Sequence, residues 1–288
     1  MSLSAQEQVL FDLLFDRSLR ERFVQNGVSA LAGRGLDNDE YRDFSAIRPD
    51  ALVLDAAMRA GFILSQFCRS YPLSFSLASS LPQGLDQLRQ LVDVKTMRSA
   101  PLERLITFGV RLKEQLLAQA FATERERARV ISIVDAEIGM AWTSAAVKKE
   151  MLQGGQVTGD VHVPEDWLQR HVAMAPFVSA AVIPSPYSRL KAELCAETGA
   201  GLWRRLSRQP LSAVERQRVL QATDSRILVA RAVVAQASRC EPVTEHLTVE
   251  LSEGFASLLG HVNGTASIAA ILLQLKQAGA DDALLDSV

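Results

Sequence analysis

Apolar residues recur three and four positions apart through the first half of the chain, a spacing that predicts successive amphipathic helices. Val9, Leu10 and Leu13 form one stripe. Leu19 and Phe23 form the next behind a candidate cap at Asp16, and Asn26-Gly27 closes it. Asp37 followed by Glu40 reads as a capping box. A long helix is expected from Asp50 to Tyr71, with Val53, Ala57, Ala60, Leu64, Phe67 and Cys68 on one face until Pro72 forbids continuation. Pro101 suits the first turn of another helix, on which Leu102, Leu105, Ile106, Leu112, Leu116, Leu117 and Phe121 cluster; Val130, Ile133, Val134, Ile138 and Trp142 continue the pattern. A helical bundle is the natural way to hide these stripes.

The period breaks over 153–167, QGGQVTGDVHVPEDW, where Gly154, Gly155, Gly159 and Pro164 punctuate the chain. This places a domain boundary there, giving a helical domain at 1–155 and a second domain at 156–288. In the second, PFVSAAVIP (176–184) and RILVARAVVAQA (226–237) lean towards strand, and HLTVELS (246–252) alternates apolar and polar residues as a half-buried strand does. Ser252 then caps a helix carrying Phe255, Leu258, Leu259 and Val262. Asn263-Gly264 turns the chain, and Thr265 caps a second helix with Ile268, Ile271, Leu272 and Leu275. The expected fold class is therefore α+β and mainly helical: an N-terminal helical bundle followed by a C-terminal winged helix-turn-helix with a small β-sheet.

A chain of 288 residues, 48% hydrophobic and 22% charged, can bury two ordinary cores. Its 31 basic and 33 acidic residues leave a net charge of -2, so no overall field attracts nucleic acid or an anionic membrane. The three cysteines, Cys68, Cys195 and Cys240, are widely spaced and never in a CxxC pair, which fits a reducing compartment and a cytoplasmic protein. No basic region precedes an apolar run at the start, and no stretch reaches the roughly 20 uninterrupted apolar residues of a bilayer span, so neither export nor a membrane anchor is expected.

HExxH, GxSxG, GxxxxGK[ST] and GxGxxG are all missing from the sequence. Asp160, His162, Glu165, Asp166 and His171 form the best metal-ligand cluster. Glu165 and Asp166 read better as negative charge in the first turn of a helix holding Trp167 and His171. His246 and His261 have no acidic or nucleophilic partner at a meaningful spacing, so a structural or exposed role is expected. Arginines 204, 205, 208, 216 and 218 form the one basic concentration, read as a solvated helix face with Glu215 and Arg218 at i,i+3. No catalytic residue and no metal ligand is assigned.

DNA-reading helices place Arg, Lys, Asn or Gln near their N-termini, backed by basic phosphate contacts. Thr265 to Leu273 is small or apolar, with Gln274, Lys276 and Gln277 at the wrong end. A winged-helix transcription regulator thus stays as the alternative reading, and an autonomous metal enzyme built on the 160–171 cluster as a third. The leading use of the shape lies in HLTVELS, whose edge suits addition of an extended peptide as a further strand. Leu247, Val249 and Leu251 would face one side, and His246, Thr248 and Glu250 the other.

HLTVELSEGFASLLGHVNGTASIAAIL, with Asn263-Gly264-Thr265 at its turn, resembles the PqqD-like RiPP recognition element. LLFDRSLRERFVQNGVSALAGRGLDNDEYRDFSAI and WLQRHVAMAPFVSAAVIPSPYSRL are similar to segments of the partner proteins that accompany DUF692 multinuclear iron enzymes in peptide natural-product pathways. The resemblance covers most of the chain. It is strongest to the partner protein of 3-thiaglutamate biosynthesis, with that of methanobactin biosynthesis as the related alternative. The resemblance implies a non-catalytic subunit with no cofactor of its own. It would form a heterodimer with a DUF692-type iron enzyme, hold the leader of a ribosomal precursor peptide, and present that peptide's C-terminal cysteine to iron ions in the partner. In the 3-thiaglutamate case the cysteine β-carbon leaves as formate. Family elements end in a helix that walls the peptide groove. Here only ADDALLDSV remains for it, which puts Leu284, Leu285 and Val288 at that wall.

Overall fold

The computed structural model describes residues 4–155, 165–174, 177–195, 197–221, 224–236, 242–252 and 262–277. The protein is mainly helical with a small three-stranded antiparallel sheet, an α+β arrangement. Two compact units divide it, and each is made of two stretches of chain. The first comprises 1–119 with 195–213, the second 120–194 with 214–288. The break in periodicity over 153–167 includes residues 156–164, which lie outside the described residues.

The first unit begins with α1 (Ala5–Phe15) and α2 (Arg17–Asn26), followed by a 3-10 turn at Gly27–Leu31 and α3 (Asn38–Ser45). Side chains set these boundaries. The Asp16 carboxylate accepts from the Leu19 amide at 3.0 Å, and Gly27 ends α2 at φ 59°, which only glycine adopts freely. Asp37 and Glu40 form the expected reciprocal capping box, the Asp37 amide donating to Glu40 Oε2 at 3.0 Å. The buried faces of these elements, Val9, Leu13, Leu19, Phe23, Leu31 and Phe44, meet Leu52 in one apolar cluster.

Leu52 belongs to α4 (Pro49–Ser70), which ends where Pro72 opens α5 (Pro72–Ser79). All eight residues of α5 are buried, because α6 (Gly84–Gln90), α8 (Arg104–Leu117) and α11 (Gly199–Arg208) enclose the segment together with α4. An aromatic cluster marks this second centre. Phe67, Tyr71 and Phe75 lie 4.8, 5.9 and 5.7 Å from Phe108 between ring centroids, Trp203 stands edge-on to Phe75, and the Tyr71 hydroxyl donates to the Leu105 carbonyl. At Gly84 a Cβ would collide with the Ala78 carbonyl, so α6 can start this close to α5 only with glycine there. A short α7 (Val94–Met97) joins α6 to α8, and Arg111 of α8 grips the Asp93 cap of α7 with both guanidinium nitrogens.

Two expectations for these helices need correction. The buried residues of α4 are Leu52, Ala56, Leu64, Ser65, Phe67 and Cys68, whereas Val53 is 46% exposed and Ala57 is exposed. The helix is apolar on almost every side, so spacing alone does not select its inner face; α11, which packs along it through Leu202, Trp203 and Leu206, does. The helix expected from Pro101 starts at Arg104 after a turn.

The second unit is organised on α9 (Glu124–Leu152), which crosses one face of the sheet formed by β2 (Val178–Ile183), β3 (Arg226–Gln236) and β4 (Val243–Ser252) in the order β2-β3-β4. Val130, Ile133, Val134, Glu137, Ile138 and Ala141 are buried along α9, while Trp142, expected on the same stripe, is 56% exposed. Gly139 lets the sheet approach, since a Cβ there would sit 3.1 Å from that of Ser179. α10 (Tyr187–Leu194) and α12 (Ala213–Gln221) also belong to this unit, α10 meeting β4 through the Ser188 amide and α12 meeting α9. Arg216 of α12 makes a 2.7 Å ion pair with Glu126 of α9, both side chains being less than 10% exposed.

A second small sheet pairs β1 (His171–Ala173) with β5 (Asn263–Ser267), and α13 (Ile268–Gln277) follows. The residues expected to form a tight turn and helix start are therefore partly strand. Gly264 keeps a positive φ of 81°, but Asn263 to Ser267 pair with β1, and Ser267 rather than Thr265 caps the helix by accepting from the Ala270 amide. His171 likewise lies in β1, after a 3-10 turn at Trp167–Gln169, and not on a helix with Trp167.

Candidate functional site

β4 contains six of the eight residues expected to bind a peptide: His246, Leu247, Thr248, Val249, Glu250 and Leu251. Leu284 and Leu285, like His261 and the first expected helix at 253–261, lie outside the described residues. The strand pairs antiparallel with β3 from Ser252 opposite Arg226 to Val243 opposite Gln236, with a register shift near Val234. Among the described residues no other strand pairs with it, so within them β4 is the edge strand of its sheet.

The alternation places Leu247, Val249 and Leu251 on one side and His246, Thr248 and Glu250 on the other, but the polar side is the one directed at the helices. His246 shares its face with Ala232 of β3, which is fully buried. Its Nε2 donates to the Met140 carbonyl at 2.9 Å, with Thr143 Oγ1 and Ser144 Oγ at 3.2 and 3.3 Å beside the same nitrogen. Burial pushes the imidazole below its ordinary value; the Met140 carbonyl opposes that shift and the positive charge of Lys191 adds to it. Glu250 accepts the Ser188 amide at 2.9 Å, in the first turn of α10, where helix N–H groups lack intrahelical partners. Two polar side chains, both expected among the peptide-binding residues, thus turn to the helices and pin β4 to α9 and α10.

The opposite face is partly open and mixed: exposed apolar side chains share it with Glu245 and with Arg231, which lies across from Leu247, while Ile227 across from Leu251 is buried. Leu247 and Val249 are 60% and 57% exposed, Val243 and Val182 are half exposed, and Val229 lies directly across from Val249. An extended chain added to the β4 edge would find backbone partners along the strand and apolar side chains on this face.

The remaining candidates separate. Asp160 and His162 lie outside the described residues. Among the described ones, no group of three or more His, Cys, Asp or Glu is placed to hold a metal, and Asp166 instead pairs with Arg170. The arginine concentration divides between two helices: Arg204 and Arg208 are exposed on α11, whereas Arg216 is the buried partner of Glu126, not part of a solvated face. That pair joins residues ninety positions apart and had no local signal. On α13 the exposed positions Ala269 and Leu273 carry no cation, and Lys276 lies in the last turn.

Comparison with known protein families, curated proteins and solved structures finds no match.

Proposed function

We propose that the protein is a cytoplasmic, non-catalytic peptide-binding subunit. It holds the leader of a ribosomally made precursor as an added strand on β4 and presents the precursor's C-terminal cysteine to the iron of a DUF692-type oxidase with which it forms a heterodimer. In this reading the first unit is the helical bundle, and β3, β4 and the segments after them form the winged helix-turn-helix of a RiPP recognition element. The product is a 3-thiaglutamate precursor, with a methanobactin-type product as the alternative. The observation that carries the proposal is the β4 edge: a ten-residue strand fixed on its polar side by His246 and Glu250, with exposed apolar side chains on the other. Binding energy from a remote leader can position a reacting cysteine without chemistry in the subunit that holds it.

The test begins with native purification of the tagged protein, mass spectrometry of its companions and metal analysis. The expected result is an iron-bearing barrel protein together with a short cysteine-containing precursor. Recovery with a specific DNA duplex, or with neither companion, sinks the proposal. Proline is then placed singly at Thr248 and at Val249. Successive N–H groups of a strand point to opposite edges, so one variant disrupts the pairing with β3 and the other keeps the fold. The folded variant is expected to lose precursor binding, and undiminished binding by it moves the site away from this edge.

A further inference from the structure

The exposed side of α4 is the least explained surface of the first unit. Leu54, Met58 and Phe62 recur every four residues and are 61%, 64% and 67% exposed, a ridge that monomers seldom leave in water. Beside it a hollow of about 430 Å³ is lined by Phe15, Met58, Phe62, Ile63 and Met97. On the same flank Asp55 and Arg59 form an ion pair of 3.0 Å with both side chains about half exposed.

We infer that α4 is a homodimerisation helix, its ridge covered by the same ridge of a second copy packed antiparallel about a two-fold axis at Met58. The pattern is self-complementary. With 3.6 residues per turn, the axis sets Leu54 of one copy against Phe62 of the other and Met58 against itself. Both charged residues stay on one flank under this operation, so Asp55 of each copy comes beside Arg59 of its mate. Antiparallel helix dipoles add to the fit. A lipid surface is the poorer occupant, because it offers no counter-charge to Asp55 and Arg59 on the flank of the ridge. The inference uses the first unit alone and is independent of the peptide site.

Sedimentation velocity from about 1 to about 200 µM is expected to show a concentration-dependent shift from one chain to two. Met58→Glu, which sets two carboxylates face to face on the axis, is expected to weaken association at least about tenfold while circular dichroism stays unchanged. Asp55→Arg alone is expected to weaken it severalfold, and Asp55→Arg combined with Arg59→Asp to restore it. Met58→Cys in a Cys240→Ser background is expected to cross-link to its mate under mild oxidation, since Cys68 and Cys195 are buried. A chain that stays single over the whole range overturns the inference. So does a dimer indifferent to Met58→Glu, which would pair elsewhere, or a single chain that floats with lipid vesicles through the same ridge.

Discussion

α4 and α9 each contain an 18-residue window with a mean hydropathy of 1.4, yet 56% of that window is buried in α9 and only 33% in α4. Both helices are long and apolar enough to cross a bilayer by composition, and in both a folded unit occupies at least one side. In α9 most apolar side chains are buried, Trp142 and Leu152 being exceptions, and the polar ones needed inside have dedicated partners: Glu126 has Arg216, and Glu137 has the Tyr187 hydroxyl at 3.5 Å. In α4 one side packs on α11 and the other presents Leu54, Met58 and Phe62 to solvent. A hydropathy total therefore states how much cover a helix requires, and only the neighbours state how much it has.

The largest way to break this contrast is at the buried ion pair. Glu126→Ala leaves the Arg216 guanidinium uncompensated and is expected to cost about 3–5 kcal/mol in chemical denaturation; Glu126→Leu combined with Arg216→Met recovers much of that loss. Next, Ile133→Ala on the fully covered side of α9 is expected to cost about 2–4 kcal/mol. A smaller effect concerns His246. Its folded-state value lies below the ordinary 6.5, so its contribution is complete above pH 6.5 and declines as the pH falls from there towards the folded value, because the unfolded chain takes up the proton first. His246→Gln should flatten that part of a stability-against-pH curve. Asp93 acts in a separate, lower window. Partial burial raises its carboxyl, but the Arg111 guanidinium and the Thr96 amide hold it below the ordinary 3.8. The smallest effect is expected for Met58→Ala on the open side of α4, about 0.5 kcal/mol or less for the single chain in dilute solution. A cost near that of Ile133→Ala would show the ridge to be covered within one chain.

Helix existence and most helix ends were legible because short-range chemistry writes them: Asp16, the Asp37 and Glu40 box, Gly27 and Pro72 act within four residues of themselves. The strand at 246–252 was legible for the same kind of reason, through its alternation. Which side of each element turns inward was not. In β4 the alternation suggests leucine and valine inside, but His246 meets the carbonyl end of a turn of α9 and Glu250 meets the amide end of α10, and those partners lie more than sixty residues away in sequence. The same distance hid Arg216. At 263–267 the turn residues were recognised, but β1, which recruits them into a ladder, had looked like helix from Glu165 and Asp166 alone. For the candidate site, the strand was readable in advance, whereas its place in the sheet depends on what pairs beside it.

Trp203, which stands edge-on against Phe75, has a consequence for how the chain is made. The first unit needs residues that the ribosome adds more than a hundred positions after Phe75, once α9, β2 and α10 have already emerged. Its aromatic centre cannot close during synthesis of the first 155 residues, and a nascent chain halted there keeps α5 without its α11 cover. Folding in order of synthesis is thereby excluded for the first unit, and long-range closure of this kind is slow relative to local helix formation. Pulse-labelled nascent chains should acquire protease resistance in the first unit only after α11 has cleared the exit tunnel.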